Sequence, residues 1–145
     1  MNRTSPKLLS LIEAQSSQPV APAFNYLAEQ LLEKYTDTAQ AILFYGSCLR
    51  SGDATDGIAD LYIIVDDYHK AFQRPFQASL NKLLPPNVFY LERPFEQITV
   101  RAKYAVLTLN DFLKGTSTRW FHSYLWGRFA QPTVLIYTRN GTVAD

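Results

Sequence analysis

Cysteine occurs once in these 145 residues, at Cys48, so no disulfide can form within the chain and a reducing compartment is the expected setting. Histidine is almost as scarce. His69 and His122, with a single thiol, are too few for a familiar zinc cluster. Long hydrophobic runs are missing too. The longest, such as YAVLTL and TVLIY, fall far short of a bilayer's width. The opening MNRTSPKLLSLIEAQ holds Arg3 and Lys7 but no sustained apolar region, so a secretory leader is not expected, and Glu13 speaks against a matrix-targeting peptide. Excess charge of one sign is also lacking. Fourteen Lys and Arg stand against thirteen Asp and Glu, for a net charge of +1. That is far from the basic field of a dedicated nucleic-acid binder, and no nucleic-acid partner is expected.

Apolar residues are plentiful, at 47%, and the aromatic share of 14% is high, which marks a folded globular chain. Its length suits one domain, residues 1–145. SPKLLSLIEAQ reads as a short helix after a Ser-Pro start. AFNYLAEQLLEKY places Phe24, Leu27, Leu31 and Tyr35 on one helical face. QAILFY and DLYIIV read as buried strands, and VFYLE and QITVRAKYAVLT as two more. The stretch from Tyr68 to Leu84 is helical but interrupted at Pro75, and NDFLKGTSTRWFHSYLWGRFAQP is helical with a break near Gly115. TVLIYT is a last extended segment. The order α-α-β-β-α-β-β-α-β predicts an α+β domain, a mixed sheet flanked by helices.

FYGSCLRSGDATDGIADLYIIVDDY, Phe44 to Tyr68, carries the chemistry. A buried strand runs into Gly46 and Ser47, and a lone acid, Asp60, heads the next strand. Glycine lets the chain turn sharply and lets a phosphate approach the backbone, and Ser47 adds a hydroxyl. An ionised carboxylate is costly to bury alone, but a divalent cation bridging it to a triphosphate removes the difficulty. Together these parts describe a nucleotidyl-transfer site: triphosphate on the Gly46-Ser47 turn, metal on Asp60. Gly-Ser turns and strand-opening aspartates are common separately; the combination is what points to transfer.

The pattern resembles the nucleotidyltransferase superfamily typified by DNA polymerase beta, in which the strand aspartate is followed two positions later by a second acid. Here that position is Tyr62, about 7 Å along the strand, and Asp66 lies about 20 Å away, too far to share a metal with Asp60. One branch fits better. The set Tyr45, Gly46, Ser47, Asp60, Val65, Asp66, Asp67, then Lys103, Tyr104, then Trp120, Tyr124, Gly127, Arg128 and Pro132 resembles the mitochondrial-type phosphatidate cytidylyltransferases. These make CDP-diacylglycerol from CTP and phosphatidic acid and have bacterial relatives. The likeness runs from Ala41 to Ile136, about two thirds of the chain. Cys48 and Ala105 stand where that family has glycines, and its members are longer, continuing into a helical region expected to be lacking here.

The resemblance implies a nucleotidyltransferase-like fold and Mg²⁺-dependent transfer of CMP from CTP to phosphatidic acid. It implies Asp60, Ser47 and Lys103 as catalytic residues, Gly46, Ser47 and Arg128 as binding residues, and Asp60 as the metal ligand. A lipid acceptor implies peripheral attachment to a membrane surface, cytoplasmic in a bacterial-type protein or on the matrix side in a mitochondrial one. SYLWGRF has suitable aromatic and basic character for that contact, though a core helix reads the same way. On the residues alone, Lys103 is a phosphate holder or a solvated strand lysine. Arg128 is a phosphate clamp or an arginine snorkelling from an aromatic stripe with Trp120 and Tyr124. Asp66 and Asp67 bind a cation or cap the next helix, and Cys48 is a reactive thiol or a small packing residue. Asp53, Asp56, Glu92 and Glu96 are candidates for the missing second ligand. Transfer to a non-lipid acceptor, or nucleotide binding without catalysis, are the competing functions.

Overall fold

The computed structural model describes residues 5–83, 87–117 and 124–140. It is a mixed α+β fold built on one five-stranded sheet, order β3-β4-β2-β1-β5, with helices on both faces. Two helices lead in, α1 (Pro6–Ser16) and α2 (Pro22–Lys34), each opened by the proline whose missing N–H is harmless at a first helical position. β1 (Ala39–Tyr45) and β2 (Ala59–Val65) pair antiparallel around a five-residue helix, α3 (Ser47–Ser51). α4 (Tyr68–Ala71) and α5 (Pro75–Leu83) fill the predicted interrupted helix, divided ahead of Pro75. β3 (Val88–Phe95) and β4 (Ile98–Thr108) form a hairpin, and β4 runs parallel to β2. α6 (Leu109–Gly115), α7 (Tyr124–Phe129) and β5 (Thr133–Thr138) complete the order, with β5 returning to lie antiparallel beside β1.

Strand alternation divides the core in two. Ile42, Phe44, Leu61, Ile63, Val65, Ala102, Tyr104 and Val106 face α2, whose Phe24, Leu27 and Leu31 are buried with Tyr35 as the helical spacing predicts. Tyr45, Tyr62, Ile64, Ala105 and Leu107 face the other way, under Leu109, Phe112, Leu125 and Phe129 of α6 and α7. Asp60 and Lys103 belong to this second face by the two-residue period of their strands. α1 departs from the usual amphipathic packing: none of its residues is buried, and its contacts run to β5. No described helix is long and apolar enough to cross a membrane.

The far end of β2 has a structural acid. Thr38 is buried, and its hydroxyl donates to the Asp66 carboxylate. Asp66 also pairs with Lys70 at 3.5 Å. Burial opposes the charge on Asp66, but the Thr38 hydrogen bond, Lys70 and nearby backbone N–H groups outweigh it and hold the carboxyl below its ordinary range. A depressed carboxyl stabilises the fold above the unfolded-state value of about 4, and that contribution disappears as pH falls through the lower folded value. Thr38→Val is therefore expected to lower stability at neutral pH by roughly 1 kcal/mol and to flatten the acid loss. Urea titrations across the acid range check this; an unchanged acid slope would remove Asp66 from the account.

Candidate functional site

At the end of β1 the chain turns through Gly46, with φ 91° and ψ −163°, in a region that favours glycine. Space demands glycine as well. A Cβ at Gly46 would lie 2.5 Å from Asp60 Oδ2, closer than real contacts allow. The turn and the strand acid are thus in direct contact. Ser47 follows as the first residue of α3 and is exposed. It adjoins the site but does not line its cavity.

Cys48 sits inside α3, and among the described non-glycine residues only Glu96 has positive φ, so its Cβ carries no backbone penalty. Burial, followed by the charges of Asp60, Asp56 and Asp53, pushes its thiol up against the opposing Ser47 hydrogen bond. That favours the packing residue over the reactive thiol.

Register assembles the rest. Tyr45 lies opposite Asp60 across the antiparallel pair, and Asp60 opposite Lys103 across the parallel one. Lys103 Nζ stands 3.3 Å from Asp60 Oδ1, with the lysine half-exposed and the acid 20% exposed. Arg128, on α7, donates to the Tyr45 hydroxyl at 2.8 Å, and its guanidinium lies 6.0 Å from the ring centre. These four residues border a cavity of about 210 Å³. That is below the roughly 300–1,000 Å³ of a pocket enclosing a whole small-molecule ligand, so it suits a phosphate portion.

Burial pushes the Tyr45 phenol up; Arg128 opposes the rise, Asp60 adds to it, and a hydrogen bond with Tyr62 works with Arg128. Tyr45 stacks on Tyr62 at 5.3 Å between centroids, and Tyr62 meets Phe129 at 5.2 Å. Tyr62 is buried, so the place where a second acid would stand is aromatic core beneath the cavity.

Other sequence candidates fall elsewhere. Asp67 caps α4, accepting from the His69 and Lys70 backbone at 2.7 and 3.2 Å, and Asp66 is held by Thr38 and Lys70. Asp53 folds back on Thr55. Glu92 pairs with Arg101 at 3.2 Å, and Glu96 lies between β3 and β4. Asp56 contributes a carbonyl to the Cys48 thiol at 3.7 Å. Among the described residues no group of three or more His, Cys, Asp or Glu converges on one point. Trp120 and His122 lie outside the described residues, as does the Tyr124 side chain. Of SYLWGRF, the described part is α7, which covers the core through Leu125 and Phe129 and leaves Trp126 exposed.

Two features had no sequence signal. One is Val88 on the cavity wall; the other is the Tyr45–Arg128 contact, which joins residues 83 positions apart. The assembled site has one hard oxygen ligand flanked by two cations, an arrangement that can hold a metal-bound polyphosphate and neutralise charge on it. No known protein family matches the chain, and no characterised protein does.

Proposed function

We propose that the chain is a nucleotidyltransferase that passes CMP from CTP to phosphatidic acid, giving CDP-diacylglycerol and pyrophosphate. The observation that carries this reading is the contact of the Asp60 carboxylate with the Gly46 turn, with Lys103 and Arg128 on the same small cavity. The choice of CTP and of a lipid acceptor rests on the resemblance at Tyr45-Gly46-Ser47, Lys103-Tyr104 and Gly127-Arg128.

Mg²⁺ is usually held through one or two carboxylates plus substrate phosphates, so a single acid at the mouth fits a cation that arrives with its nucleotide. Asp60 is the residue that would hold it, and the ion would supply charge neutralisation on the triphosphate. The Gly46-Ser47 turn receives the β- and γ-phosphates. Lys103 and Arg128 orient the acceptor phosphate, Arg128 being braced by Tyr45. An oxygen of phosphatidic acid forms the new bond to the α-phosphorus as the bond to the β-phosphate oxygen breaks, and the electron pair leaves with pyrophosphate. The nucleophile is already anionic, so no strong base is required; placement and electrostatics supply the rate. A lipid acceptor brings the protein to a membrane surface.

Labelled CTP with phosphatidic acid and Mg²⁺ is expected to give a chloroform-extractable product. Lys103→Gln, which removes one charge-assisted contact, is expected to lower that rate by roughly 10- to 100-fold. Label confined to the aqueous phase with every phosphatidic acid tested would rule out the lipid acceptor.

A second reading has its own support. Lys103 already neutralises Asp60, and Tyr62 fills the second-acid position, both of which suit a module that binds nucleotide without turnover. Calorimetric binding of CTP with Mg²⁺ that is lost in Asp60→Ala, without product in the assay above, would favour that module.

A further inference from the structure

α5 exposes apolar side chains on the side turned away from the protein. Phe76 is 75% exposed, Leu83 77% and Leu80 39%, at the spacing that puts all three on one helical stripe. Ala78, roughly opposite on the helix, is fully buried. The stripe is therefore not a core face. Three such residues on one short outer face also differ from the singly scattered apolar residues of an ordinary surface.

The chain segment that carries it has charges of one sign. From Tyr68 to Leu91 the sequence holds Lys70, Arg74 and Lys82 and no Asp or Glu, although the whole chain balances fourteen cations with thirteen acids. Lys70 is engaged with Asp66. Lys82 borders a shallow groove that also includes Asp66, Asp67 and Asp111, yet neither Lys82 nor Arg74 forms an ion pair among the described residues. Arg74 carbonyl accepts from the Gln77 and Ala78 backbone, so a cation stands at the start of α5, where the helix dipole favours an acid. Folding gives no reason for that choice.

We infer that the outer face of α5 docks on an anionic lipid surface, with Phe76, Leu80 and Leu83 entering the headgroup region and Arg74 and Lys82 meeting lipid phosphates. The inference rests on the lipid-acceptor reading for its purpose. It moves the membrane contact from SYLWGRF, whose Leu125 and Phe129 face the sheet, to α5. α5 packs on the α2 side of the sheet, but its C-terminal end leads to Val88, which is half-exposed and lines the Asp60 cavity.

Co-sedimentation with phosphatidylcholine vesicles, with and without a minority of phosphatidylglycerol, tests this without offering the proposed acceptor. The full chain is expected to partition onto the anionic vesicles, less so at high salt. Phe76→Ser/Leu83→Ser and, separately, Arg74→Gln/Lys82→Gln are each expected to weaken partitioning by roughly tenfold or more. All four positions are exposed, so the variants should keep the wild-type Tm. The Phe76→Ser/Leu83→Ser variant should also keep its activity on a detergent-dispersed acceptor.

Asp60→Asn is expected to bind vesicles as the wild type does, which separates docking from transfer. Vesicle binding without any transferase product would leave the docking inference standing and sink the functional one. Wild-type protein remaining in the supernatant, or the Phe76→Ser/Leu83→Ser variant partitioning normally, would overturn the docking inference. So would conversion of a wild-type dimer to monomer in that variant with vesicle binding unchanged, since the stripe would then be a self-association face.

Discussion

Asparagine in place of Asp60 is expected to lower nucleotidyl transfer by about 10³-fold, the scale on which removing a principal electrostatic group acts. The substitution keeps shape and removes charge. Lys103 loses its partner, but it is half-exposed and water replaces the carboxylate, so the fold should persist. Mg²⁺-dependent CTP binding, read by calorimetry, should weaken with the rate. A second readout is independent of substrate. The Asp60 charge helps hold the Cys48 thiol up, so in Asp60→Asn the pH profile of Cys48 alkylation should move to lower pH. Full activity in Asp60→Asn, with the Cys48 profile shifted, would show that the acid is in place and that transfer does not use it.

Gly46→Ala is expected to lose activity and also stability, because two demands meet at that position. The backbone there, φ 91° with ψ −163°, lies in a region kept essentially to glycine and alone costs of order 1–3 kcal/mol for a residue with a Cβ, somewhat more than the left-handed helical region. The new methyl would also meet Asp60 Oδ2 at 2.5 Å, pushing the carboxylate off the turn. Gly52 supplies the control. It too has positive φ, 69°, but nothing lies within 4 Å of a Cβ built there. Gly52→Ala should therefore show the backbone cost only, whereas Gly46→Ala should cost roughly 2–4 kcal/mol and lower transfer at least tenfold by displacing the acid. Pairing Gly46→Ala with Asp60→Ala should recover part of the stability, since contacting residues do not add. Equal urea midpoints for the two single glycine variants would mean that Asp60 does not lie against the turn.

The sequence carried the strands and the long helix plainly because periodicity records burial. Phe24, Leu27, Leu31 and Tyr35 are four buried residues at helical spacing, and DLYIIV is a strand covered on both faces. Pro75 and Gly115 marked real helix ends. Of the site, the contact of turn and acid was legible, since a two-strand pair around a short connection leaves little freedom. The partner of Asp60 was not. Lys103 reaches it through the parallel β2–β4 register, and pairing choice between distant strands leaves no local mark. The same holds for Arg128 on Tyr45. The sequence brings Ser47 to the turn beside Asp60; Ser47 is exposed there and does not line the cavity, since side-chain direction at the start of a short helix leaves no mark in the sequence. α1, read as an ordinary helix, has apolar residues that stay about half-exposed, since periodicity cannot say whether a face finds a neighbour.

The parallel pairing of β2 with β4 also sets an order of events during folding. Tyr45 and Asp60 belong to adjacent antiparallel strands, with Gly46 opening the segment that joins them, a unit whose closure costs less chain entropy than the β2–β4 pairing. Lys103 comes to its place only after α4, α5 and the whole of β3 have been threaded past. A newly made chain would therefore acquire its acid as part of an early hairpin and its neutralising base much later. The charge partner of Asp60 is thus supplied by the longest-range pairing of the sheet's centre, so the acid's neutralisation depends on the sheet being complete.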